Sequence, residues 1–226
     1  MDEFQRRLEA AFYPATDGET IRGVSEGILL GDDLIENTPI LRHAGGRDLR
    51  GHIRRAGIIF RIHDLCERGD LPFAAEIVPM PHGSWHWLEI HSDNFKAHIC
   101  RSEGPYDFPE ETLSRQDARL VNQNDLFAEN VIPISRVVSQ IPELYAWLTF
   151  SAEKTGALKH LCWAMPPADS GSWLGHVNIL KRAEEATVHP KDELPAEEPA
   201  KIIKLRFREH IEESLSKQDK ADNEEQ

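Results

Sequence analysis

The chain holds 226 residues, 40% of them hydrophobic, which suffices for one large domain, or one domain with appendages, around an ordinary core. A formal charge of −13 works against general nucleic-acid binding, because phosphate contacts need lysine and arginine. No run approaches the roughly 18 apolar residues of a membrane span, and Cys66, Cys100 and Cys162 form neither a CxxC pair nor an even disulfide set, so a soluble cytoplasmic protein with reduced thiols is expected.

The opening MDEFQRRLEAAFYPA has no apolar signal core, and Phe4, Leu8, Ala11 and Phe12 recur at helical spacing over residues 2–13. Gly18, Gly23, Gly27, Gly31, Pro39 and the pair Gly45-Gly46 predict short turns over 17–46. A helix of about 47–68 follows, with Leu49, Ile53, Ile58, Ile59, Ile62, Leu65 and Cys66 as its apolar stripe and Gly69 as its stop. His63 and Cys66 share a helical face, but Cys66 also lies in the stripe, which favours a buried, inert thiol.

Between residues 41 and 61, six arginines face only Asp48, a local charge of +5. A glycine pair entering a helix there makes Arg47, Arg50 and Arg54 candidate anion-binding residues. Residues 42–55, with Arg42 and Arg55, are also where a nucleic-acid contact would form, although the net charge weighs against one. No GxxxxGK[ST] or GxGxxG is present, and a solvated helix face is the competing reading.

After Pro72 the period changes to that of a strand, at about 73–80. GSWHWLEIH and NFKAHICR alternate around Asp93-Asn94, which predicts a β-hairpin. A two-residue turn sets Glu89 opposite His98 and His91 opposite Lys96, with Leu88, Ile90, Ala97 and Ile99 on the core face. Trp85, Trp87, Glu89, His91, His98 and Cys100 then share the other face. Glu89 would orient His98 as a carboxylate orients a general base, with His91 close by and Arg115 stabilising charge. These four are the candidate catalytic residues. The competing reading is a cross-strand pair that only stabilises the sheet. Two imidazoles and a carboxylate suit an open zinc site, but HExxH and CxxC are missing, so no metal and no cofactor is expected.

A long polar connection runs from Ser102 to about Asn130. Within it Asp107 is placed to cap a helix that starts with Pro109, Glu110 and Glu111. A short helix is expected at about 134–141, then a second hairpin, LYAWLTFSA and ALKHLCWAM, turning near Gly156. ADSGSWLGHVNILKR reads as a helix capped by Asp169 or Ser170. The expected fold is α+β: an antiparallel sheet built from two β-hairpins packed against several helices, with an extended acidic C-terminal tail.

That organisation places one globular domain at 1–182, an acidic proline-containing linker at 183–200 and a tethered amphipathic segment with a disordered end at 201–226. From Ala183 onward there are 13 acidic and 7 basic residues. Ile203, Phe207, Ile211 and Leu215 line one face if the segment is helical, and are the candidate partner-binding residues. HExxH, CxxC, GxxxxGK[ST] and GxGxxG are all missing, so whether the chain is an enzyme stays open. The expected function is a protein-binding accessory or regulatory protein, an antitoxin-like or defence-related regulator being one form. A hydrolase or nuclease acting on a phosphate ester through the first hairpin is the alternative.

Overall fold

The computed structural model of the chain describes residues 3–82, 84–122, 143–169 and 171–188. The predicted first helix forms as α1 (Glu3–Ala11), which buries Leu8 and Ala11. The glycine-rich stretch after it does not break into turns. It forms α2 (Asp17–Asn37), a helix of 21 residues. Gly23, Gly27 and Gly31 recur every four residues, so they line one helical face and do not interrupt the chain. Two short helices follow, α3 (Pro39–Arg42) and α4 (Ala44–Arg47), and then α5 (Arg50–Glu67).

The glycine face of α2 lies against α5 at backbone distance. A Cβ added at Gly31 would stand 2.8 Å from Arg54 Cα, and one at Gly27 would stand 2.6 Å from Ile58 N. Two ion pairs flank this contact: Arg54 grips Asp32 with two bonds of 2.7 and 2.6 Å, and Arg61 pairs with Glu26. The antiparallel backbones can approach this closely only because no side chain separates them.

Six strands form one sheet among the described residues, in chain order: β1 (Ala74–Pro79), β2 (His86–Ser92), β3 (Phe95–Arg101), β4 (Leu144–Ala152), β5 (Leu158–Met165) and β6 (Gly175–Asn178). The fold is therefore α+β with a mostly antiparallel sheet. The exception is β3 with β4, which run parallel because the long connection between them carries the chain back to the starting end of β3. The segment expected as one helix from Asp169 instead supplies β6 and then a last helix, α7 (Ile179–Val188). The four residues of β6, GHVN, alternate between buried and half-buried, but Val177 is the one large apolar side chain among them, so the sequence carries no strand signal. Because α7 reaches Val188, the expected linker from 183 opens inside a helix. The helix expected at 134–141 and the segment 201–226 lie outside the described residues.

The sheet has two covered faces. On one, Leu8 and Phe12, Val24 and Ile28 of α2, and Ile58, Ile62 and Leu65 of α5 pack on Leu88, Ile90, Ala97, Leu148 and Trp163. Phe12 stacks on Trp163 with ring centroids 3.8 Å apart. On the other face a smaller cluster gathers Cys100, Tyr145 and Trp147 under Ala118 and Trp173. Part of the β3–β4 connection covers that cluster. Its helix α6 (Leu113–Arg119) is capped by the Thr112 side chain, not by Asp107 as expected. Pro109, Glu110 and Glu111 precede this helix as irregular chain.

Asn122 pins the connection to β4. Its side chain is fully buried, donates to the carbonyls of Tyr145 (3.0 Å) and Pro166 (2.6 Å), and accepts from the Tyr145 amide (2.8 Å). Asn122→Ala would leave three buried backbone groups without partners. We expect a loss of about 3 kcal/mol, read as a lower Tm in thermal melts. Asn122→Asp, which keeps the acceptor and loses both donations, should also destabilise. A melt unchanged by either substitution would show that the bonds contribute nothing net.

Candidate functional site

The turn residue Asp93 adopts φ 49°, a left-handed conformation that aspartate tolerates, and β2 pairs with β3 across it. Glu89 stands opposite His98, Ile90 opposite Ala97, His91 opposite Lys96 and Ser92 opposite Phe95. His98 is 2% exposed, beneath Trp87, whose ring stacks on it at 3.7 Å. Both imidazole nitrogens are engaged: Nδ1 with Tyr145 Oη (2.7 Å) and Nε2 with Glu89 Oε2 (3.4 Å). The Trp147 indole N–H donates to the same tyrosine oxygen at 2.9 Å. The tyrosine proton is then free to go to His98 Nδ1, which leaves Nε2–H to donate to Glu89.

Glu89 also meets Lys96 Nζ (3.1 Å) and His91 Nε2 (3.1 Å), and both of these reach on to Glu143. The His98 hydrogen bond, followed by the bond and charge of Lys96, holds the Glu89 carboxyl down at about 2 against the opposing effect of burial. Burial lowers the His98 pKa in spite of Glu89, so the pair at neutral pH is carboxylate and neutral imidazole. For Lys96, burial pulls the pKa down but Glu89 and Glu143 together raise it. A small cavity of about 290 Å³ opens here, lined by Glu89, Lys96, His98, Asp117 and Tyr145. Arg115, expected to join this set, lines a different cavity.

The larger cavity arises where the sheet parts. Pairing of β2 with β3 ends at Glu89–His98, while β3 runs on to Arg101 beside β4. The opening, about 870 Å³, is bounded by the first half of α5, the end of β3, the chain from Ser102 to Arg115 and the β4–β5 turn. Arg50, Arg54, Arg55, Arg101, Arg115 and Lys154 line it, against Asp48, Glu103, Glu110 and Glu153. A chain of charge −13 thus presents a local positive excess.

The arginines are committed to different degrees. Arg54 is held by Asp32 and by the carbonyls of Glu153 (3.0 Å) and Lys154 (3.1 Å), so it is a structural strut. Arg55 donates to the His86 carbonyl at 3.3 Å, and Arg115 donates to the Glu110 carbonyl. Burial first, and the charge of Arg115 as well, lower the Arg55 pKa. Arg50 Nε is buried without a hydrogen-bond partner, and Asp32 lies 3.9 Å from it. Arg47, expected among the anion-binding residues, is not on the cavity wall; its Nε donates to the Arg42 carbonyl at 3.2 Å.

Sequence reasoning missed Arg101 and Lys154, which come to the cleft only through strand pairing and a turn. It also missed a buried bond of 2.9 Å between Ser102 Oγ and His160 Nε2. Ser102 lies on the cleft wall. No local spacing signals that pair, since 58 residues separate its members.

Among the described residues no group of three or more His, Cys, Asp or Glu side chains is placed to hold a metal ion, and no helix is long and apolar enough to cross a membrane. All three cysteines are free, and burial pushes the thiols of Cys66 and Cys162 up to about 11 and about 12. Ile203, Phe207, Ile211 and Leu215 lie outside the described residues. No family model, no curated protein and no solved structure matches the chain.

Proposed function

We propose that the chain is an accessory or regulatory binding protein that holds an anionic group, phosphate or carboxylate, in the arginine cleft. The observation that carries this reading is the convergence of Arg50, Arg55, Arg101 and Arg115 from α5, β3 and α6 on one cavity. Guanidinium forks match the oxygens of such groups two at a time. Arg55 and Arg115 stand close enough to oppose each other's charge, and an incoming anion would relieve that repulsion. The local excess sits in a strongly acidic chain, which suits one defined anionic group better than a long polyanion.

Titration calorimetry with inorganic pyrophosphate tests this. Arg115→Ala should weaken binding at least tenfold, and Arg101→Ala should weaken it and flatten its dependence on salt. Binding that survives both substitutions unchanged would remove the cleft from the function.

The pattern of Ile203, Phe207, Ile211 and Leu215 supports a second contact, with a protein partner, and an antitoxin-like or defence-related regulator is one form of such a molecule. Free cysteines support a cytoplasmic location. A phosphate-ester hydrolase or nuclease working through Glu89, His91, His98 and Arg115 is the second reading, favoured by the Glu89–His98 pair in its small cavity. It is the weaker one, because His98 has no nitrogen to spare for a substrate proton and Arg115 faces the other cavity.

A further inference from the structure

Resting on the anion-binding reading, we infer that the ligand class of the cleft is a nucleoside phosphate, with its phosphates on the arginines and its base stacked on Trp85. The cavity volume of about 870 Å³ suits a ligand of nucleotide size, far larger than a lone phosphate or carboxylate needs.

The rim supplies the second half of the site. His52 lines the cleft one turn before Arg55, on the same face of α5. Trp85 stacks on His52 with ring centroids 5.2 Å apart and planes 12° from parallel. It nevertheless remains 57% exposed, although the sheet offers buried positions to Trp87, Trp147 and Trp163. One ring face is thus fixed against the imidazole, and the exposed remainder offers a flat surface. Arg55 is bonded to the carbonyl of His86, the residue after Trp85, so the guanidinium and the indole belong to one small region. Phe108 adds an apolar stretch of wall and is itself braced by Trp173 at 4.0 Å.

A carboxylate-bearing peptide would use the arginines and leave the indole idle. A planar base joined to phosphates uses both, since stacking needs only a π face and tolerates any base. A preformed platform beside a preformed cation cluster also lowers the cost of ordering the ligand.

The test uses the full chain and four probes: ADP, inorganic pyrophosphate, an oligo-dT single strand and a poly-glutamate peptide. ADP should bind at least tenfold more tightly than pyrophosphate and quench tryptophan fluorescence. Trp85→Ala should bring ADP to the pyrophosphate level and leave pyrophosphate unchanged, while Arg115→Ala should weaken both. Trp85 is exposed, so an unaltered thermal melt should accompany its loss. If the strand binds more tightly than ADP and still depends on Trp85, the nucleoside phosphate comes from a strand end. Equal binding of ADP and pyrophosphate, with Trp85→Ala silent, overturns this inference and leaves the anion reading standing. A preference for the peptide overturns it as well. Failure of every probe to bind sinks both readings.

Discussion

Gly57→Val is expected to abolish the folded domain or to lower its Tm by more than about 10 °C. A Cβ at Gly57 would fall on the Gly27 carbonyl oxygen, with the Gly27 carbonyl carbon only 3.1 Å away. Those atoms are backbone, so no rotamer change can make room. The helices would have to separate, and that would open the layer formed by Val24, Ile28, Ile58 and Ile62 and pull Arg54 off Asp32. The combined loss should exceed about 4 kcal/mol, a large part of the stability of an ordinary domain. Gly51 provides the control on the same helix, because a Cβ there meets nothing within 4 Å. Gly51→Ala should raise stability by up to about 1 kcal/mol through helix propensity alone. Chemical denaturation of both variants reads the contrast. Equal midpoints for Gly57→Val and the parent would mean that α2 and α5 do not meet at this point.

The same glycines explain which parts of the fold could be read from sequence and which could not. Gly23, Gly27 and Gly31 look like breakers in a linear reading, and only the presence of α5 makes them a contact face. The first hairpin was legible because its turn and its alternation are local, so Glu89 could be set against His98 by counting residues. Strand β6 was illegible because it is held by its place at the sheet edge, where Gly175 packs under Leu8 and Phe4, and not by an apolar alternation of its own. Of the candidate sites, Arg50 and Arg54 lay in a visible basic run. Their companions come by longer routes that no spacing rule announces: Arg101 through the pairing of β3 with β4, and Arg115 on the helix of the connection between those strands. On sequence alone Arg115 joins the histidines as the group that would stabilise charge, a role that needs both to face one cavity. In the structure α6 spans both cavities, so that Arg115 faces one while Asp117 faces the other.

Acid should unfold this domain in two stages, the first beginning well above the carboxylate range. His98, His160 and His176 all have pKa values lowered mainly by burial, so the unfolded chain binds their protons more readily than the folded one. Their contribution is fully present above the unfolded value, about 6.5, and is lost as pH falls from there toward the folded values. Around His98 the charged neighbours are Glu89, Lys96 and Arg55: Glu89 favours the protonated ring, while Lys96, Arg55 and desolvation oppose it. The second stage belongs to Glu89, whose pKa falls from 4.5 to about 2 on folding. Its contribution is present above about 4.5 and lost as pH drops toward 2. Tm measured from pH 8 to pH 3 should therefore decline from just below 7 and steepen below 4.5. His98→Gln keeps an amide donor for Glu89 and cannot acquire the imidazole's proton, so it should lower Tm at pH 8 yet flatten the first stage. Glu89→Gln should lower Tm at neutral pH and remove much of the second stage. A profile flat from pH 7 to 5 would contradict the neutral, buried state of these imidazoles. So would a His98→Gln profile parallel to the parent's, because a ring already protonated in the folded chain has no further proton to take up.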